Sequence, residues 1–130
     1  RLVCGGGSSV VVVGPLAGPF WHHMLSITQS TRPDLWVLGE LPVTDISDMP
    51  PALLANIRAN GLCVVEEHGL QGSVGQQLAA LLMGGGFTPP QFLHCYAKGY
   101  PSGTYGSQSF HRHESGLEPG QVMEALGIAP

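Results

Sequence analysis

At 130 residues, the chain has the length of one domain and enough sequence to bury a single continuous core. Charged residues make up 11% of it against 43% hydrophobic, a low charge density that leaves neutral surface suited to an interface with another domain or subunit. The formal charge of −4 and five scattered basic residues give no reason to expect nucleic acid, and no apolar run approaches the roughly 18 residues of a membrane span.

Leu2–Cys4 reads as a short edge strand turned back by Gly5–Gly7. The opening segment is too short in apolar residues for a signal peptide, and the chain reads as beginning mid-structure, as a fragment or separated domain would. Val10–Val13 is β-branched and apolar on both faces, the mark of a central strand. Pro19–Ser30 carries Phe20, Met24 and Ile27 at helical spacing. The next strand is Leu35–Leu41, followed by a helix that Asp48 is placed to cap, with Leu53, Leu54 and Ile57 inward and Gly61 as its left-handed terminator. The stretch Leu62–Glu66 predicts a buried parallel strand. A glycine-spaced turn leads from it into a helix over Val74–Met83, stopped by Gly84–Gly86. Gln91–Tyr96 supplies the last strand, Gly99–Gln108 a loop, and Pro119 opens a closing helix that ends at Gly127. Strands alternating with helices predict one three-layer α/β/α domain over residues 1–130, with mainly parallel strands and right-handed crossovers. Cys4, Cys63 and Cys95 have no Cys-x-x-Cys spacing and an odd count, so they read as buried free thiols of a cytosolic, hence cytoplasmic, protein.

The polar residues that could carry function cluster after Val65. Glu66 and Glu67 are neighbours in extended chain, so their side chains point to opposite faces and cannot act as a facing acid–base pair. One of them is expected to be buried and to need a partner. His68 beside them is either a general base or a hydrogen-bond anchor, and a structural or interface network is the favoured reading of the trio over catalysis. Gly69, Gly72 and Gly75 follow the strand at every third position and open a helix, where backbone N–H groups can hold an anion. The dinucleotide fingerprint would need glycine at Leu70, and no Gly-Lys-Ser/Thr follows, so a tight turn with close helix–sheet packing is the simpler account. Ser73 in Gly-Ser-Val-Gly resembles a nucleophile elbow only superficially. His111-Arg112-His113-Glu114 reads as a polar loop, since His-x-His supplies two metal ligands where three or four must converge. His22-His23, taken as lying at a helix start, reads as surface or interface.

The order of elements and Val64-Val65-Glu66-Glu67-His68 together resemble the C-terminal domain of the transketolase-like, thiamine diphosphate-dependent enzymes. That family's pattern is an apolar strand ending Glu-Glu-His, three spacers, Gly-Gly-aromatic-Gly-Ser and a helix. Here Gly72 and Gly75 are in register, while Ser73, Val74 and Gln76 depart from it. Ser9–Gly14 resembles the family's first parallel strand, and Ser115-Gly116-Leu117-Glu118-Pro119 the start of its last helix. The family's Pro-Leu-Asp before the second helix is replaced by Pro50-Pro51-Ala52, and the loop Tyr96–Gln108 lacks the common Asp-x-Phe-Gly form.

The resemblance implies a mixed five-stranded sheet with one antiparallel strand. It implies thiamine diphosphate and Mg in a parent enzyme that transfers two-carbon ketol or related units, with no cofactor, metal or catalytic residue in this domain, since Gly-Asp-Gly is absent from the chain. The partners it implies are the cofactor-binding domains or subunits, in a homodimer or larger assembly. The interface or anion-binding candidates are Glu67, His68, Gly72, Ser73 and Gly75. An independent phosphate-binding module using the Gly72–Gly75 turn is the alternative, and a metal-dependent hydrolase built on His111 and His113 a distant third.

Overall fold

The computed structural model describes residues 1–128. Four strands, β1 (Ser9–Val13), β2 (Asp34–Leu38), β3 (Leu62–Val65) and β4 (Phe92–Cys95), form one wholly parallel sheet in the order β2-β1-β3-β4. Between and after them come helices α1 (Ala17–Leu25), α2 (Pro51–Asn60), α3 (Val74–Gly84), α4 (Gln108–Ser115) and α5 (Pro119–Ala125). β1 is central and all five of its residues are buried, as its run of valines requires.

Alternation along the strands divides the core in two. Val10, Val12, Leu35, Cys63 and Val65 face a layer holding Phe20 and Met24 of α1 with Val122 and Met123 of α5. Val11, Val13, Trp36, Leu62 and Val64 face the opposite layer, holding Leu53 and Ile57 of α2 with Val74, Leu78 and Leu82 of α3. The expected α/β/α layering is therefore present.

The strand count differs from expectation. The sheet has four strands, not five, and the antiparallel element shrinks to a single bridge between Val3 and Leu35. Leu2 N–H donates to Leu35 O at 2.8 Å and Leu35 N–H to Val3 O at 2.9 Å. Then Gly5, Gly6 and Gly7 lie so close to the backbone of residues 30–33 that no side chain would fit at Gly5 or Gly6. A strand cannot propagate through that approach. What holds the segment is Asp34, buried at the start of β2, which accepts from Gly5 N–H at 2.7 Å and from Arg1 Nη1 at 3.3 Å. Cys4 is consequently exposed rather than buried.

Other boundaries move for local reasons. α1 begins two residues earlier than expected and ends at Leu25, which places His22 and His23 in its last turn, where the helix dipole favours positive charge. β2 stops at Leu38, before Gly39. Asp48 does not cap α2. It closes a capping box with Asp45 over a single 3-10 turn, Ile46–Asp48, and Pro51 opens α2 itself. Gly61 does end α2 at positive φ (+97°), but with an extended ψ rather than the left-handed helical one. The segment around His111 is helical, not a loop: Ser107 accepts from Phe110 N–H at 3.2 Å, and left-handed Gly116 terminates α4. No helix among the described residues is long and apolar enough to cross a membrane.

Phe20 is fully buried where α1 meets the sheet. Phe20→Ala is expected to destabilise the fold by about 3 kcal/mol or more, read as a lowered urea midpoint with an unchanged m-value.

Candidate functional site at the carboxyl edge of the sheet

Immediately after β3 comes Glu66, whose side chain is completely buried. A carboxylate can persist there only if its lone pairs are filled. Val74 N–H donates to Oε2 at 3.1 Å and Gly75 N–H to Oε1 at 2.8 Å, so the anion sits on the first turn of α3, where free amides and the helix dipole both favour negative charge. His94, projecting from β4, donates through Nε2 to Oε1 at 2.7 Å. A third group stands further out: His68 Nδ1 lies 3.5 Å from Oε2, on a side chain two-thirds exposed.

The rest of that helix start is also satisfied from within. Ser73 is the N-cap, accepting from Gln76 N–H at 3.3 Å, and the Gln76 side chain accepts from Gly72 N–H at 3.1 Å. Gly72 adopts φ +69° in the turn, which glycine tolerates without a Cβ clash. Of the amides that sequence reasoning offered to an anion, those of Gly72 and Gly75 are bonded to Gln76 and Glu66 instead. Gly75 has a different reason to be glycine: a Cβ there would overlap the His94 ring. Leu41, Pro42, His68, Gly72 and Gln77 rim a pocket of about 320 Å³ above this cluster.

Glu67 turns the other way, as extended geometry demands. Its carboxylate receives Arg112 Nε and Gln108 Nε2, the latter at 3.0 and 3.2 Å, and so ties the end of β3 to α4. The guanidinium of Arg112 holds the Glu67 carboxyl below the usual glutamate range against the opposing effect of partial burial, with Gln108 and His68 adding to the lowering. Arg112 is pushed up in turn, first by its hydrogen bond to Glu67.

His111 and His113 are two residues apart on α4, a spacing that sends helical side chains to different faces. His111 Nε2 accepts from Gly106 N–H at 3.2 Å, and its ring lies edge-on to Tyr100. Among the described residues no group of three His, Cys, Asp or Glu side chains is arranged to hold a metal. The structure thus joins Glu66, His68, Ser73 and Gly75 in one cluster and places Glu67 in a second. His94 is the participant that sequence reasoning passed over. Its signal was a lone polar residue inside the apolar run Phe92-Leu93-His94-Cys95, which needs a buried partner.

Two outcomes follow from this geometry. Gly75→Ala is expected to cost about 1–3 kcal/mol through overpacking, and the cost should shrink in a His94→Ala background, a coupling that a double-mutant cycle in urea measures. For Glu67, the unfolded chain binds a proton at higher pH than the folded one. The contribution of the Glu67–Arg112 pair is thus complete above the ordinary glutamate value of about 4.3 and is lost as pH falls through the lower folded value. For a partly exposed surface pair of this kind it is worth about 1 kcal/mol or less. Stability curves of the native protein and Glu67→Gln are expected to differ at neutral pH and converge in acid.

No protein-family model matches the chain, and no curated protein does. Among solved structures, the chain is similar to one described as "split gene transketolase, inactive beta4 tetramer", with a TM-score of 0.68 and 16% identity, over 95% of this chain and 39% of that one. At that identity the likeness is one of fold. The chain thus carries a transketolase-like parallel α/β fold, and a compact domain of this kind fits the C-terminal domain that the Glu-Glu-His strand resembles.

Proposed function

We propose that the chain is the structural, assembly-supporting domain of a transketolase-type enzyme that transfers two-carbon ketol or related units, and that it has no catalysis of its own. The observation that carries this reading is the internal use of the carboxyl edge. In open α/β sheets that edge is the usual ligand site, yet here its buried carboxylate is consumed by Val74, Gly75 and His94, and its free amides by Ser73 and Gln76. The fold likeness supports the transketolase-type reading, and the solved structure that shares the fold is named as an inactive tetramer. The chain spans 39% of that protein's length, and the proposal assigns cofactor chemistry to other parts of a parent enzyme.

The residues present do not fit thiamine diphosphate with its metal. The described residues hold no convergent metal-ligating group, the chain has no Gly-Asp-Gly, and the amides of the α3 turn are already occupied. In a cytoplasmic parent enzyme, cofactor-binding domains or subunits would be this chain's partners, with the Glu67–Arg112 and His68 surroundings lying toward that junction. Titration calorimetry of the chain with thiamine diphosphate and Mg²⁺ is expected to give no saturable heat, and a ketol-transfer assay no product. Micromolar cofactor binding, or product formed by the chain alone, would falsify the reading.

A further inference from the structure

The two edges of the sheet are unlike. The β2 edge is covered by the Val3 bridge and by Arg1, whose guanidinium lies over the Trp36 ring. The β4 edge is bare. Glu66 N–H donates to Cys95 O and Leu62 N–H to Gln91 O, so Gln91, Leu93 and Cys95 aim their peptide groups at β3. In a parallel ladder the alternate residues, Phe92, His94 and Tyr96, then present N–H and C=O outward. No hydrogen bond reaches those groups among the described residues.

Exposed edges are normally blunted by charge, proline or a bulge within the strand. Residues 91–97 contain no Asp, Glu, Lys, Arg or Pro. Phe92 is exposed, and beside it a cleft of about 330 Å³ is lined by Met83, Phe87 and Pro89, with Met83 78% exposed. An edge with open peptide groups, flanking apolar surface and no fixed charge is built to be paired.

We propose that β4 pairs antiparallel with β4 of a second copy about a twofold axis at His94, joining two sheets into one of eight strands. The register follows from which groups point outward. With His94 opposite the partner's His94, Phe92 stands opposite the partner's Tyr96 and the reverse, and all the outward groups fall into hydrogen-bonded pairs. The same register places aromatic on aromatic, a favourable cross-strand pair, and brings the partner's Tyr96 beside the Met83–Phe87 cleft. It sets no like charges together: Lys98 falls opposite the partner's Pro90, and each His94 is already bonded to its own Glu66. This self-complementarity argues for a second copy over an unrelated strand.

The proposal deepens the assembly role above and rests on it. Sedimentation equilibrium of the chain is expected to show a concentration-dependent dimer, and Phe92→Lys to weaken it at least tenfold with an unchanged circular dichroism spectrum. Leu93 and the partner's Cys95 form a non-hydrogen-bonded pair in this register, where side chains approach closely. Leu93→Cys under copper phenanthroline should therefore give a disulfide-linked dimer, lost when Cys95→Ala is added. Self-association that is indifferent to Phe92→Lys and yields no such cross-link overturns the β4 pairing while leaving the assembly role standing. A chain that stays monomeric at every concentration overturns both the pairing and self-assembly. Cofactor binding by the chain alone would sink the enzyme-domain reading without touching the cross-link.

Discussion

The buried carboxylate of Glu66 is the constraint around which the carboxyl half of the sheet is arranged. It adds side-chain bonds to three elements at once: the end of β3, the start of α3 and the middle of β4, the strand already paired with β3 through the backbone ladder. Each bond is charge-assisted, a class worth about 1.5–3 kcal/mol apiece. The pairing is also obligatory, because an ionised carboxylate fully removed from water costs several kcal/mol if left alone. The apolar runs bring these elements near one another. The carboxylate sets their relative position, since both oxygens and two consecutive amides must meet at hydrogen-bond distance.

That requirement propagates outward. For α3 to present the Val74 and Gly75 amides to Glu66, its first turn must lie directly beneath the His94 ring, and there only glycine fits. Ser73 must then cap the turn in extended geometry, and Gly72 must enter it at positive φ. A sequence of four residues, Gly-Ser-Val-Gly, is therefore specified by one anion and one imidazole. It looks like a ligand cradle because a cradle is what it is, with its ligand supplied by the strand before it.

Much of this was legible in the sequence. The valines of β1, the strand–turn–helix at Leu62–Met83, the layered architecture and the opposed directions of Glu66 and Glu67 all follow from side-chain period and turn chemistry. What was not legible depended on contacts distant in sequence. His94 lies 28 residues from the carboxylate it binds. The three glycines before β1 look like a turn, but they answer to the backbone of residues 30–33. α4 was concealed by its polarity, with Phe110 the lone large apolar residue between a serine cap and a glycine stop. The caps were the better guide there, because a helix held through Glu67–Arg112 has no need of an apolar stripe.

The two neighbouring glutamates divide the work of the β3 terminus. Glu66 looks inward and fixes the sheet to α3, while Glu67 looks outward and draws in α4, the element that follows the aromatic loop at Tyr100 and Tyr105. Both carboxylates are engaged in bonds within the chain. With the carboxyl edge engaged in internal bonds, Phe92, His94 and Tyr96 on the flank have peptide groups that no hydrogen bond reaches among the described residues. Glu66 governs that flank as well. By holding His94 against α3 it fixes the orientation of β4, and with it which residues face outward and which pairing register the edge offers.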